Sequence, residues 1–196
     1  MASKVDIDQL HIDYIILTHG HGDHVGETIE IATRTKAKVI AAYEICNWLS
    51  GHNLDLYGLN IGGKITLDFG CIKMVSAQHS SSMPDGSYGA NPTGFVIWND
   101  EICFYISGDT ALTLEMKLIP LMCPKLDFAI LCIGDVFTMG YEDASIAAEF
   151  IQCDQIIGCH FDTFDPIKIN HEVAINYFNS KNKKLILPSI NESFIF

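Results

Sequence analysis

Three histidines and one aspartate crowd into six consecutive residues near the start of the chain. The segment is His19-Gly20-His21-Gly22-Asp23-His24, which has the pattern H-x-H-x-D-H. A shuffled copy of the chain would contain this pattern about once in a thousand tries, so chance is a poor explanation. Imidazole and carboxylate groups are good ligands for zinc, manganese and iron, whereas four such side chains are costly to bury in an apolar core. The pattern therefore predicts a metal site, and the two glycines permit the turn that brings the side chains together.

The motif lies between a predicted buried strand and a predicted helix. Residues 14–17 form a short, continuous apolar run, which indicates a strand. Residues 24–35 carry apolar side chains at helical spacing, which predicts a helix that begins inside the motif. One tight loop cannot surround two metal ions alone, so further ligands must come from other strand ends.

Later in the chain, three residues follow predicted strands and could supply those ligands. His79 follows the strand 72–77, Asp109 follows a strand that ends near residue 107, and His160 follows a strand that ends at residue 159. A single His or Asp at a strand end is more often a surface or capping residue. Beside the motif, each is better explained as a ligand. His11, His52 and His171 lack such positions, and we assign them no role in the site.

The remaining pattern predicts a layered α/β architecture with mixed sheets. Strands in succession occupy the middle of the chain, and strands alternate with helices in the last third. Residues 80–93 are rich in Ser, Gly, Pro and Asn and predict a long, mobile loop of the kind that often carries function. The predicted strands are 38–43, 64–69, 72–77, 94–98, 101–107, 128–133, 154–159 and 184–187, and the later helices are 44–50, 142–152 and 171–179.

Composition excludes several classes of function. The length of 196 residues fits a single domain, 1–196. The net charge of −12 disfavours binding to nucleic acid or to an anionic membrane, and no apolar run approaches a membrane span. The seven cysteines contain no C-x-x-C pair, and the N-terminus has no signal-peptide core. These features predict reduced thiols in a cytoplasmic protein.

The segment 18–26, Thr-His-Gly-His-Gly-Asp-His-Val-Gly, resembles the signature of the metallo-β-lactamase superfamily. His79-Ser80-Ser81-Ser82, Phe137-Thr138-Met139-Gly140 and His160 with Thr163-Phe164 resemble a small branch of metal-dependent hydrolases related to the ascorbate-phosphate lactonases. The resemblance implies a four-layer αββα sandwich with mixed sheets. The superfamily usually has further strands before the motif strand. We expect this chain to lack those strands, because it starts almost at the motif strand.

The resemblance also implies a dinuclear site for two divalent metal ions, with Zn²⁺ first and Mn²⁺ or iron as alternatives. Asp23, in addition to binding metal, would be the catalytic residue that orients water or accepts its proton. A hydroxide that bridges the two ions would attack a small ester, lactone or phosphoester substrate. In the implied ligand set, His19, His21 and His79 hold one ion, Asp23, His24 and His160 hold the other, and Asp109 bridges them.

Two alternatives remain open at this stage. The same ligands suit iron, so the protein could be an iron-dependent redox enzyme. It could also be a truncated fragment that binds metal without turnover, or a chain whose first sheet a partner completes.

The expected partner is a small-molecule substrate, with a homo-oligomer left open. Val136 stands where many relatives carry a polar residue, which weakens any supporting role for that position.

Overall fold

Two β-sheets of unequal size organise the chain in the computed structural model, which describes residues 6–190 and residue 192. The strands are β1 (Tyr14–Ile16), β2 (Lys38–Ala42), β3 (Asp55–Leu59), β4 (Lys64–Leu67), β5 (Gly70–Ser76), β6 (Thr93–Trp98), β7 (Cys103–Ile106), β8 (Phe128–Cys132), β9 (Gln155–Cys159) and β10 (Lys184–Ile186). The helices are α1 (Gly22–Val25), α2 (Thr28–Thr35), α3 (Tyr43–Leu49), α4 (Ile119–Met122), α5 (Tyr141–Phe150) and α6 (His171–Ser180). Short 3-10 turns cover Ile7–Gln9, Ser50–His52, Leu114–Leu118 and Asp165–Ile167.

Strand direction places several strand ends at the same edge of the larger sheet. The smaller sheet has the order β1-β2-β3, and all its strands are parallel. The larger sheet has the order β10-β9-β8-β7-β6-β5-β4, in which β7 to β10 are parallel. Because β5 and β7 are both antiparallel to β6, they run in the same direction as each other. The carboxyl ends of β5, β7 and β9 therefore lie at one edge.

Side-chain alternation gives the larger sheet two apolar faces. On β6, Phe95 and Ile97 belong to one buried cluster, whereas Val96 between them belongs to another. Neighbouring side chains of a strand point to opposite faces, so the two clusters lie on opposite sides of the sheet. The cluster with Phe95 contains the buried residues of the smaller sheet, together with Ala32 of α2 and Ile45 of α3.

The other face of the larger sheet is covered by the C-terminal helices. Ala147 of α5 and Phe178 of α6 are fully buried in the same cluster as Val96. The order of layers is therefore helices, small sheet, large sheet, helices, and the predicted four-layer αββα architecture is confirmed.

The two sheets are tied together at the edge where β1 ends. The Thr93 backbone N–H donates to the carbonyl oxygen of Thr18 at 3.0 Å, and the Thr93 hydroxyl donates to the same oxygen at 2.7 Å. Thr93 is the first residue of β6, and Thr18 immediately precedes the histidine motif. These two hydrogen bonds fix the motif loop of the small sheet against the large sheet.

The prediction of one continuous helix over residues 24–35 is wrong. Gly26 adopts φ +41° and separates α1 from α2. A backbone conformation of this kind cannot continue a right-handed helix and is easily reached only by glycine. The break lets α1 serve the motif while α2 packs Ala32 into the core.

Several elements were not predicted, among them one strand and two short helical segments. The strand β3 is mostly exposed and contains Gly58, so it lacks the apolar alternation that marks a strand. The 3-10 turn Leu114–Leu118 and the single-turn helix α4, which contains Pro120, are too short for a helical period to emerge.

The predicted loop between β5 and β6 has no helix or strand, apart from an isolated bridge between Ser82 and Tyr88. Its Met83 is buried between the sheets, and its Asp85 accepts a hydrogen bond from Trp48 Nε1 at 2.8 Å. The loop is therefore anchored to the core rather than lying free over it.

Two further features concern the described residues. The seven cysteines are free thiols, of which Cys46, Cys103, Cys132 and Cys153 are buried and the other three are half-buried. Across residues 6–190 and 192, no helix is long and apolar enough to traverse a bilayer.

Candidate metal centre

The histidine motif turns sharply because Gly20 packs directly against the loop 80–93. A Cβ at Gly20 would lie 2.6 Å from Met83 Sδ and 2.9 Å from the Cα of Gly89. The Gly20 N–H donates to Ser81 Oγ at 3.0 Å, and that hydroxyl donates to the carbonyl oxygen of Gly89 at 2.5 Å. Ser81 thus holds two backbone segments together.

The helix α1 presents the second half of the motif. It begins at Gly22 and carries Asp23 and His24, whose Oδ2 and Nε2 atoms are 3.4 Å apart. His19, by contrast, is completely buried. The motif therefore spans from the protein interior to the surface, where the Asp23 side chain is 68% exposed.

Asp109 lies at the centre of the cluster. Its Oδ2 atom is close to the Nε2 atoms of four histidines that come from three segments of the chain. The distances are 3.1 Å to His160, 3.2 Å to His24, 3.7 Å to His79 and 4.0 Å to His19. Such a position suits a carboxylate that bridges two cations.

All seven predicted ligands come together in this cluster. Among the described residues they form three overlapping groups in which the ligand atoms lie within 4.8 Å of one another: His19, His21 and His79; His19, His24 and Asp109; Asp23, His24 and His160. Nitrogen and oxygen ligands about 2 Å from one zinc ion lie about 3.3 Å apart in a tetrahedral site, so small shifts of these side chains would bring them to coordinating distance. His11, His52 and His171 belong to none of the groups. His171 instead binds Asp162, with a 2.6 Å distance between Nε2 and Oδ2.

The local electrostatics of His19, His79 and Asp109 favour the protonation states that bind metals. Burial, together with the adjacent His24, lowers the pKa of His19 to about 3, so the ring is neutral. Burial also lowers the pKa of His79. For Asp109, burial acts to raise the pKa, but hydrogen bonds from His160 and His24 outweigh it, and the net pKa is well below its ordinary value. Neutral imidazoles and an ionised carboxylate are the forms that coordinate divalent ions.

Contacts behind the ligands orient the rings. Thr18 Oγ1 lies 3.1 Å from His19 Nδ1, which leaves Nε2 of that ring directed at the cluster. His160 has φ +56° and is held where its carbonyl oxygen closely approaches Gly134, so that a Cβ at Gly134 would overlap it. Positive φ in a non-glycine residue carries backbone strain, which is common at functional sites. The sequence signals for these contacts are Thr18 directly before the motif and the isolated Gly134.

The cluster opens into a cavity of about 300 Å³. Sequence reasoning gave no role to two aromatic residues that line it, Phe137 and Phe164, although both stand in the stretches that resemble the hydrolase branch. Val136, next to Phe137, is exposed and does not line the cavity. The lining residues are His21, Asp23, His79, Ser80, Asp109, Phe137, His160 and Phe164.

Comparison with known proteins identifies the family. Residues 3–161 match the family described as Beta-lactamase superfamily domain. A UPF0173 metal-dependent hydrolase from Christiangramia forsetii is 52% identical over 190 residues, covering 97% of this chain and 84% of that relative. One from Methylacidiphilum infernorum is 43% identical over 190 residues, covering 96% and 84%.

Solved structures agree. Igni18, described as a novel metallo hydrolase from the archaeon Ignicoccus hospitalis, superposes with a TM-score of 0.85 at 31% identity, over 96% of this chain and 82% of that one. An isothiocyanate hydrolase from Delia radicum gut bacteria shares the fold, with a TM-score of 0.75 at 19% identity over 98% and 80%. The chain therefore belongs to the metallo-β-lactamase superfamily, within its UPF0173 group of metal-dependent hydrolases.

Proposed function

We propose that the protein hydrolyses a small ester, lactone or phosphoester at a dinuclear metal centre. The observation that carries this proposal is the position of Asp109, whose Oδ2 atom is within 4.0 Å of four histidine Nε2 atoms. A carboxylate surrounded in this way by imidazoles from both proposed ligand sets is placed to bind two ions at once. The proposed ions are Zn²⁺, with Mn²⁺ or iron as alternatives.

The proposed ligand sets follow the grouping of the side chains. His19, His21 and His79 hold the inner ion, because His19 is fully buried. Asp23, His24 and His160 hold the outer ion, and Asp109 serves both. Divalent ions in such a site act as Lewis acids and lower the pKa of water.

The protein's own groups provide positioning and proton transfer. Asp23 lines the cavity and is the more exposed of the two carboxylates there. We therefore propose that Asp23 accepts the proton of the attacking water. The Asp23 Oδ2 atom is 4.0 Å from His160 Nε2, which keeps the carboxylate directed towards the cluster. Burial of His19 and Asp109 excludes bulk water from the inner half of the site and strengthens its electrostatic interactions.

The test is metal content by mass spectrometry, combined with hydrolysis of a panel of esters, lactones and phosphodiesters. We expect two equivalents of divalent metal in the wild type and loss of both metal and hydrolysis in the double variant His19→Ala/His160→Ala. His52→Ala removes an exposed histidine outside the cluster and is the matched control. A wild-type chain that hydrolyses none of the panel when loaded with zinc or manganese, or that turns over only oxidatively with iron, would refute the proposal.

A further inference from the structure

Two phenylalanine side chains stand exposed beside the otherwise polar metal centre. Phe137 is 53% exposed and Phe164 is 46% exposed, and both line the 300 Å³ cavity. Their ring centroids are 5.9 Å apart, with an angle of 36° between the ring planes. A single exposed aromatic residue is ordinary, but two in mutual contact at the mouth of a site form a patch that neither contributes much to the core nor binds metal.

The loop that carries Phe137 is held rigidly. Asp135 and Val136 both have positive φ, at +61° and +56°. The Asp135 N–H donates to the carbonyl oxygen of Met139 at 3.0 Å, and the Val136 N–H donates to Asp135 Oδ1 at 2.8 Å. Because residues with Cβ atoms rarely adopt this backbone conformation, two in succession indicate a strained loop, and such strain is common at functional sites.

The loop that carries Phe164 is held independently. Asp162 has φ +61°, and its N–H donates to the carbonyl oxygen of Ile167 at 2.9 Å. Its side chain accepts a hydrogen bond from the Ile169 N–H at 3.0 Å and binds His171 at 2.6 Å. The backbone that carries each ring is therefore held by hydrogen bonds that do not depend on a ligand, which reduces the entropy lost on binding.

The charges around the cavity indicate what these rings contact. Apart from five of the seven proposed ligands and the two rings, the only described residue that lines the cavity is Ser80, and the lining contains no Lys or Arg. A negatively charged group placed away from the metal ions would have no cationic partner there, and the chain as a whole carries a net charge of −12. The part of a substrate that extends beyond the reacting bond is therefore best free of negative charge.

We propose that Phe137 and Phe164 form an aromatic clamp that determines specificity, and that the preferred substrate is an uncharged ester or lactone bearing a planar aromatic group next to the bond that is broken. This inference rests on the proposed hydrolytic function. Rings 5.9 Å apart are already in contact, so the aromatic group of the substrate lies against both rings and not between them.

The test compares metal-binding probes that share one head group. Acetohydroxamate, benzohydroxamate, cyclohexanecarbohydroxamate and 4-carboxybenzohydroxamate are titrated into the metal-loaded protein by calorimetry. We expect benzohydroxamate to bind about tenfold more tightly than acetohydroxamate, and both the saturated ring and the carboxylated ring to lose most of that gain. The double variant Phe137→Ala/Phe164→Ala should bind acetohydroxamate normally but lose the preference for the phenyl group. Leu121→Ala, which removes an exposed apolar side chain outside the cavity, is the control.

An advantage for benzohydroxamate that persists in the double variant, or a preference for the carboxylated ring, would overturn the clamp. A second measurement does not depend on metal. In saturation-transfer NMR with the metal-free protein, benzyl acetate should receive signal from the wild type but not from the double variant. If the chain bound no metal, the hydrolytic proposal would fail. The NMR comparison would still test whether Phe137 and Phe164 form the clamp. If acetohydroxamate bound the loaded protein without any phenyl preference, only the clamp would fail.

Discussion

The Oδ2 atom of Asp109 lies 3.1 Å from Nε2 of His160, although the two residues follow different strands of the larger sheet. Asp109 raises the pKa of His160 through this hydrogen bond, and the histidine in turn helps keep the carboxylate ionised. Removing the charge at position 109 should therefore disturb the ligands on both sides of it.

We expect Asp109→Asn to lose at least one of the two proposed metal equivalents, because an amide cannot bridge two cations as a carboxylate does. Metal content by mass spectrometry measures this loss, and NMR titration of the metal-free variant should show a lower pKa for His160. Asp165→Asn changes an exposed carboxylate outside the cluster and should alter neither quantity. Full metal content in Asp109→Asn would show that the bridging assignment is wrong.

Thr18 offers a test of ligand orientation without a change in the ligands. Thr18→Val keeps the shape of the side chain but removes the hydroxyl that lies 3.1 Å from His19 Nδ1. Losing an outer partner of a metal-binding histidine commonly lowers metal affinity by about 10- to 100-fold. Competition with a chelator measures the affinity. Thr66→Val, on the exposed strand β4, should leave it unchanged, and equal affinities in all three proteins would remove Thr18 from the site.

The two glycines inside the motif should respond differently to alanine. At Gly20 a Cβ meets Met83 and the backbone of Gly89, whereas at Gly22 nothing lies within 4 Å. We expect Gly20→Ala to lower the free energy of unfolding by about 1–3 kcal/mol, as overpacking of a tight contact does. Gly22→Ala, at the start of α1, should be close to neutral. Urea titration of the metal-free proteins measures both, and similar losses would contradict the packing argument.

The pH dependence of the metal-free protein should carry the signature of His19. Its pKa falls from 6.5 to about 3 on folding, chiefly because of burial. Between these two pH values, His19 binds a proton in the unfolded chain but not in the native chain. The free energy of unfolding therefore decreases as the pH is lowered through this window. The slope from one such group is at most about 1.4 kcal/mol per pH unit.

His79 contributes in the same direction, whereas His160, whose pKa is raised, contributes in the opposite direction. The difference between wild type and His19→Gln isolates the His19 effect. Urea titrations at pH 7 and pH 5 should show a smaller loss of stability in His19→Gln than in the wild type. Equal losses in the two proteins would mean that His19 is protonated in the native state.

The seven candidate ligands could be predicted because chemistry and topology agree at those positions. The motif concentrates ligand side chains that no core would accept, and His79, Asp109 and His160 each follow a strand whose carboxyl end lies at the same sheet edge. The break at Gly26 was hidden because apolar spacing continues on both sides of it, and only the backbone angle interrupts the helix.

Phe137 and Phe164 could not have been placed in the same way. They lie 27 positions apart in sequence, in loops whose shapes depend on left-handed residues such as Asp135 and Asp162. Hydrophobic periodicity says nothing about such loops, because no repeating pattern of burial exists in them. Their proximity to each other and to the ligands emerges only when β8 and β9 are paired.

The division of the ligands between the two sheets has a consequence for how the molecule reaches its final state. The motif comes from the small sheet, and the remaining three ligands come from the large one, up to 141 positions further along the chain. An intermediate in which either sheet has formed alone holds only part of a coordination sphere, so tight metal uptake must accompany the docking of the sheets. Metal would then act as a late cross-link that slows their separation, and bound metal would mark molecules in which the two sheets have docked.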